Sequence, residues 1–209
     1  MKEDFIKNNY IVYKNAITKD MAYFLYYNLK LNKQVLDTYL NKNFISPYDK
    51  TYGFYDDNQI PNTYSFYGNT TMDTLLHVFR PYMETATGEK LIESYSYTRL
   101  YKKGDELKRH KDRLSCEIST TLNLGGDPWP IFLEPSGERG KEGTQVDLDP
   151  GDMLIYKGCL LEHWRKPFEG TECAQVFLHY NKPDTDNKRF DGRIHLGLPK
   201  DPLFLQHED

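Results

Sequence analysis

Cysteine is scarce in this chain, and the three present, Cys116, Cys159 and Cys173, are unclustered. An odd, scattered set builds no disulfide framework, and the spacing matches no zinc pattern. These thiols read as small buried apolar residues. Long apolar runs are missing too. No stretch approaches the roughly 20 residues that cross a bilayer. The opening MKEDFIKNNYIVY carries charges where a secretory leader needs an unbroken apolar stretch. A soluble protein of the reducing cytoplasm, without a membrane partner, is expected. Nor is positive charge in excess: 27 Lys and Arg against 31 Asp and Glu give a formal net charge of −4. That leaves no basic footprint for a phosphate backbone and disfavours nucleic acid as a partner.

What is present suits a globular protein. The 209 residues are 38% apolar and 28% charged, enough for one domain with a proper core. Seventeen tyrosines and eleven phenylalanines predict a core and pocket rich in rings. Residues 1–90 read as a helical and loop extension, 91–182 as a β-rich core and 183–209 as a polar tail. Thr18 is a plausible N-cap, followed by apolar residues at Met21, Phe24, Leu25 and Leu29, then Val35, Leu36, Tyr39 and Leu40. This predicts a helix, open to a split near residue 32. Residues 46–69 read as a long loop that either covers a pocket or packs on the core. A second helix is expected from Thr70, whose spacing to Asp73 is that of a capping box, with a kink at Pro81 and an end at Gly88. From Leu91 the period becomes extended. Strands are predicted over 92–101, 117–124, 130–133, 144–148, 153–156 and 174–180, separated by Gly, Pro and Asp turns. A short apolar remnant lies at 203–205. Short antiparallel strands at this spacing indicate a sandwich or barrel.

His110-Lys111-Asp112 places two metal-ligating side chains two residues apart, on one face if the backbone is extended. His163, beyond the Pro150-Gly151-Asp152 turn and an apolar strand, is the natural third ligand. Two imidazoles and a carboxylate on one side of an ion leave open positions opposite, the facial arrangement of Fe(II) oxygenases. The bland alternative makes His110 and Asp112 a surface ion pair and His163 a satisfied core histidine. His77, His179, His195 and His207 lack such context, and only His179 rivals His163.

The run YTRLYKKGDELKRHKDRLSCEISTTLNL, followed by LDPGDMLIYKGCLLEHWRKPFEG and AQVFLHYN, resembles the 2-oxoglutarate- and Fe(II)-dependent dioxygenases, in particular the prolyl 4-hydroxylases. The resemblance spans roughly residues 70–182. It implies a mainly β, α+β chain: a double-stranded β-helix, a jelly roll of cupin type, buttressed by N-terminal helices. It also implies hydroxylation of an unactivated C–H bond in a prolyl residue of a peptide, or in free proline. Fe(II), 2-oxoglutarate and O2 would be required, ascorbate would be a compatible reductant, and succinate and CO2 would be co-products. By the same resemblance His110, Asp112 and His163 hold the metal, while Tyr101, Arg99 and Thr121 line the co-substrate pocket. The family's basic residue about ten positions after the second histidine is replaced here by Glu172 and Cys173. A buried dianion needs a cation, preferably a guanidinium. Arg99 is the first candidate, sharing a strand face with Tyr101, and Arg165 the second, with Lys157 and Arg113 behind them. Trp164, Arg113 and Trp129 are candidates for the substrate approach. Residues 135–144 form either a solvated turn or a hairpin over the site. Competing readings are a nucleobase-oxidising enzyme on a similar scaffold and a metal-binding cupin module without oxidation. Oligomeric state is open.

Overall fold

A computed structural model describes residues 2–184, 193 and 195–198; the tail remnant at 203–205 and His207 lie outside the described residues. Two N-terminal elements were not anticipated, helix α1 (Lys2–Asn8) and strand β1 (Tyr10–Tyr13). β1 was hidden because four residues flanked by charges carry too short a pattern. Helix α2 (Lys19–Asn41) starts where Thr18 accepts a hydrogen bond from the Met21 N–H, and it runs unbroken past residue 32. Strand β2 (Tyr64–Tyr67) lies inside the stretch read as loop. Helix α3 (Thr70–Thr87) is capped by Asn69, which accepts from the N–H groups of Thr71 and Met72, so the expected Thr70–Asp73 box is not used. Asp73 turns inward instead, accepting from Ser96 Oγ at 2.7 Å and from Arg193. α3 passes through Pro81 and closes at Gly88, which takes the left-handed φ of 76°.

The remaining strands are β3 (Ile92–Lys102), β4 (Leu107–His110), β5 (Ile118–Gly126), β6 (Ile131–Leu133), β7 (Thr144–Val146), β8 (Met153–Tyr156), β9 (His163–Arg165) and β10 (Glu172–Asn181). They form a six-stranded sheet, β1-β8-β5-β10-β3-β2, and a four-stranded sheet, β4-β9-β6-β7, with every pairing antiparallel. The expected double-stranded β-helix is the fold the chain adopts. β4 and β9 escaped the sequence pattern because they are short and carry charged or imidazole side chains instead of alternating apolar ones.

β10 shows how the two faces divide. Ala174, Val176, Leu178 and Tyr180 join Leu76, Phe79 and Met83 of α3 and Leu25 and Leu29 of α2 in the main core. The helices therefore buttress the outer face of the larger sheet. The alternate residues Cys173, Gln175, Phe177 and His179 project to the other face, between the sheets. Burying each large aliphatic side chain in that outer core contributes about 1.5–3 kcal/mol. The rigid layer so formed lets polar side chains be held on the inner face.

Candidate metal centre

β4 ends on His110 and β9 begins on His163, and the two are direct register partners in the smaller sheet. Asp112 follows just beyond β4, its N–H donating to the Gly158 carbonyl at 2.9 Å. A Cβ at Gly158 would lie 2.3 Å from Asp112 Oδ2 and 2.5 Å from Ser119 Oγ, so only glycine admits the carboxylate here. One coordinating atom from each of His110, Asp112 and His163 falls within 4.8 Å of the others.

Backbone carbonyls set both tautomers. His110 Nδ1 donates to the Lys108 carbonyl at 2.7 Å, and His163 Nδ1 to the Leu161 carbonyl at 3.1 Å. In its neutral form each ring thus presents a lone pair on Nε2, as a ligand must. These Nε2 atoms lie 3.7 and 3.4 Å from Asp112 Oδ1. The three donors can accordingly enclose one divalent ion.

The electrostatics fit the same use. For His163, burial works to lower the pKa, but the charge and hydrogen bond of Asp112 outweigh it and the net shift is upward. Burial lowers that of His110, helped by the charge of His163. Burial works to raise that of Asp112, yet His163, His179 and the Ser119 hydroxyl hold the carboxyl far below the usual range. The carboxylate is ionised and one imidazole is already neutral, ready to ligate.

A cavity of about 350 Å³ opens on the triad, its walls including Asp57, Arg99, Tyr95, Phe177 and His179. The loop before β2 contributes to it directly. Asp57 accepts from the Tyr97 hydroxyl and, at 2.7 Å, from Arg99 Nη2, while Gln59 Nε2 lies 2.9 Å from His110 Nε2. Tyr52 and Tyr55 of the same loop pack against the main core, so the segment does both things expected of it. Nothing in the spacing of Asp57 and Gln59 marked them in the sequence.

Of the candidate co-substrate residues, Arg99 is among the cavity walls, while Tyr101, Arg165 and Thr121 are buried and are not among them. Arg99 lines the cavity but is paired with Asp57, leaving its Nε without a partner. Tyr101 is fully buried, edge-on to Trp129 at 4.8 Å, with Arg99 and Arg165 as its charged neighbours. Arg165 is 1% exposed. It donates to the Trp129 carbonyl and, at 3.4 Å, to Thr121 Oγ1, which itself donates to Gln175 Oε1 at 3.0 Å. Its Nε is unpartnered, and among the described residues no carboxylate pairs with it. Burial lowers its pKa, and the groups beside it are Cys173, Tyr101 and Tyr156, none of them a carboxylate. Lys157 lies elsewhere, 5.8 Å over the Phe5 ring. Glu172 faces outward, bonded to Tyr26 and Lys30.

Arg113 lines the cavity, 5.0 Å over the Tyr95 ring. Trp129 packs in a separate buried cluster with Tyr101 and Phe168, and Trp164 stacks on Phe132 at 5.7 Å, so neither tryptophan is among the cavity walls. The 135–144 segment is fastened beside the site, with the Gly140 N–H on Glu162 and the Gly137 carbonyl accepting from Lys111.

No family model and no curated protein sequence matches this chain. Solved structures do. A prolyl-4-hydroxylase from Pseudomonas putida superposes with a TM-score of 0.60 at 14% identity, over 86% of this chain and 96% of that one. EctD from S. alaskensis gives 0.63 at 15% identity, over 97% and 87%. HygX from Streptomyces hygroscopicus, solved with nickel and 2-oxoglutarate bound, gives 0.59 at 11% identity, over 91% and 88%. The chain shares the fold of these enzymes. At such identities the likeness extends to architecture, and the chemistry rests on this chain's own residues.

Proposed function

We propose that the chain is a 2-oxoglutarate-dependent Fe(II) oxygenase that hydroxylates an unactivated C–H bond. The observation that carries this reading is an open three-donor cluster next to a wholly buried guanidinium that pairs with no carboxylate among the described residues. His163 and Arg165 are two residues apart on β9, about 6.6 Å along a strand, comparable to the length of a five-carbon diacid. A buried charge without a counterion is costly, so its presence calls for an anionic ligand.

In this reading His110, Asp112 and His163 hold the metal through the two Nε2 atoms and Asp112 Oδ1. Arg165 receives the distal carboxylate, and the buried Tyr101 hydroxyl and Thr121 complete that end. The position where the family carries its basic residue is Cys173, and Arg165 beside it supplies the cation from the neighbouring sheet. Fe(II) with 2-oxoglutarate supplies an oxidant made from O2 that hydroxylates a C–H bond, with succinate and CO2 released. The protein's part is to keep one face of the ion open, hold the co-substrate and exclude bulk water.

The substrate we propose is a prolyl residue in a peptide, or free proline. The ring walls of Tyr95, Tyr97 and Phe177 suit a compact saturated ring, and the fold is shared with a prolyl-4-hydroxylase. Incubating the Fe(II) protein with 2-oxoglutarate and proline-rich peptides, or proline, tests this by mass. A gain of one oxygen supports it; succinate production without oxygen gain on any prolyl substrate overturns the substrate assignment. Oxidation of a methylated base instead would select the nucleobase reading.

A further inference from the structure

A second group of potential ligands, Asp112, Cys116 and His179, shares Asp112 with the triad. The Ser119 hydroxyl bridges two of them, 2.7 Å from Asp112 Oδ2 and 3.0 Å from His179 Nδ1, and lies 3.3 Å from the Cys116 carbonyl. The Cys116 thiol, which contacts the Tyr95 hydroxyl at 3.1 Å, is pushed up to about 12 by burial. A protonated thiol and a hydroxyl bridging Asp112 to His179 make this a hydrogen-bond chain and not a second ion site.

Proton counting fixes the direction of that chain. An ionised carboxylate only accepts, so Ser119 must spend its single proton on Asp112 Oδ2. His179 then has to donate through Nδ1–H into the Ser119 lone pair. The effect on Asp112 is to separate its two oxygens. Oδ2 is tied down by Ser119, and Oδ1 is the oxygen nearest His110 and His163. Gly158 completes the restraint, since any side chain there would displace the carboxylate.

We infer that Ser119 and His179 are positioning residues that hold Asp112 as a one-oxygen ligand, so that the carboxylate neither swings away nor takes a second coordination position. His179 also forms part of the cavity wall, with its ring 4.5 Å from that of Tyr95. The chain therefore runs from the substrate wall to the metal ligand. This inference rests on the triad binding metal, as proposed above. Outer partners of metal ligands typically contribute roughly 10–100-fold in affinity.

The test uses Co(II) as a spectroscopic probe and measures affinity by competition with a chromophoric chelator. Ser119→Ala is expected to weaken Co(II) binding roughly 10–100-fold and to alter the visible spectrum, which reports coordination number. His179→Phe, which keeps a ring against Tyr95 but removes the donor, should do the same to a smaller degree. His179→Asn, which can restore a donor near Nδ1, should recover most of the affinity. Melting of the metal-free variants shows whether they fold. A folded Ser119→Ala protein with wild-type affinity and spectrum overturns the inference, as does equal loss in His179→Phe and His179→Asn. If the wild-type protein binds no Co(II), the metal-site reading itself fails.

Discussion

The rings of His110 and His163 face each other across β4 and β9 with centroids 4.3 Å apart, and both are oriented by backbone carbonyls. A pair prearranged in this way should lose its function when either member, or the carboxylate between them, is removed. His110→Ala and Asp112→Ala are expected to bind Fe(II) at least about 100-fold more weakly, as removing a ligand exceeds the outer-partner effect. Turnover of 2-oxoglutarate should fall below detection. Succinate formation at the wild-type rate by either variant contradicts the assignment.

Metal binding should depend on pH with a definite sign. Both imidazoles must be neutral to ligate. His163 is shifted upward and His110 downward. Affinity is therefore full above the raised pKa of His163 and falls as pH drops through it, with one proton competing first. A second proton joins only at lower pH, when His110 titrates. A Co(II) competition series from pH 8 to about 5.5, spanning the ordinary imidazole range, checks this. Constant affinity across the series would refute it.

Arg165 and Arg99 can be told apart by co-substrate affinity. Truncating one member of a buried charged pair costs about 2–5 kcal/mol. Arg165→Met should accordingly weaken 2-oxoglutarate binding to the Ni(II) protein by roughly 100-fold. Arg99→Met, which removes a partner of Asp57, should change it by less than about tenfold. Calorimetric titration of both variants decides, and the reverse order would place the anchor at Arg99.

Gly158→Ala tests the close approach at Asp112. The added methyl would sit 2.3 Å from Oδ2. Overpacking of that kind costs about 1–3 kcal/mol. Metal binding should be lost along with a lower melting temperature. Retention of wild-type metal affinity would show that the carboxylate is free to move.

Much of this was legible in the chain because it is written locally. The i, i+2 spacing of His110 and Asp112, the Thr18 cap, the Gly88 stop and the strand alternation of β3, β5, β8 and β10 need only nearest-neighbour physics. What stayed hidden depends on contacts distant in sequence. Ser119 meets His179 across 60 positions, and Arg165 meets Thr121 across 44. Face-sharing on β3 favoured Arg99 as the anchor; the ion pair with Asp57, 42 positions away, is what makes Arg165 the better candidate. Short β4 and β9 were invisible because charged and imidazole side chains occupy the places of apolar ones. Asn69 displaced the expected capping box because Asp73 was drawn inward by Ser96 and Arg193.

The central claim is tested most directly by anaerobic titration of the purified protein with Fe(II) and 2-oxoglutarate, followed by admission of O2 and quantification of succinate. The account predicts one Fe(II) per chain, co-substrate binding that requires the metal, and O2-dependent succinate formation that a suitable prolyl substrate accelerates. Tight metal binding with 2-oxoglutarate left intact in every substrate mixture would contradict it and identify a metal-binding module without oxidation.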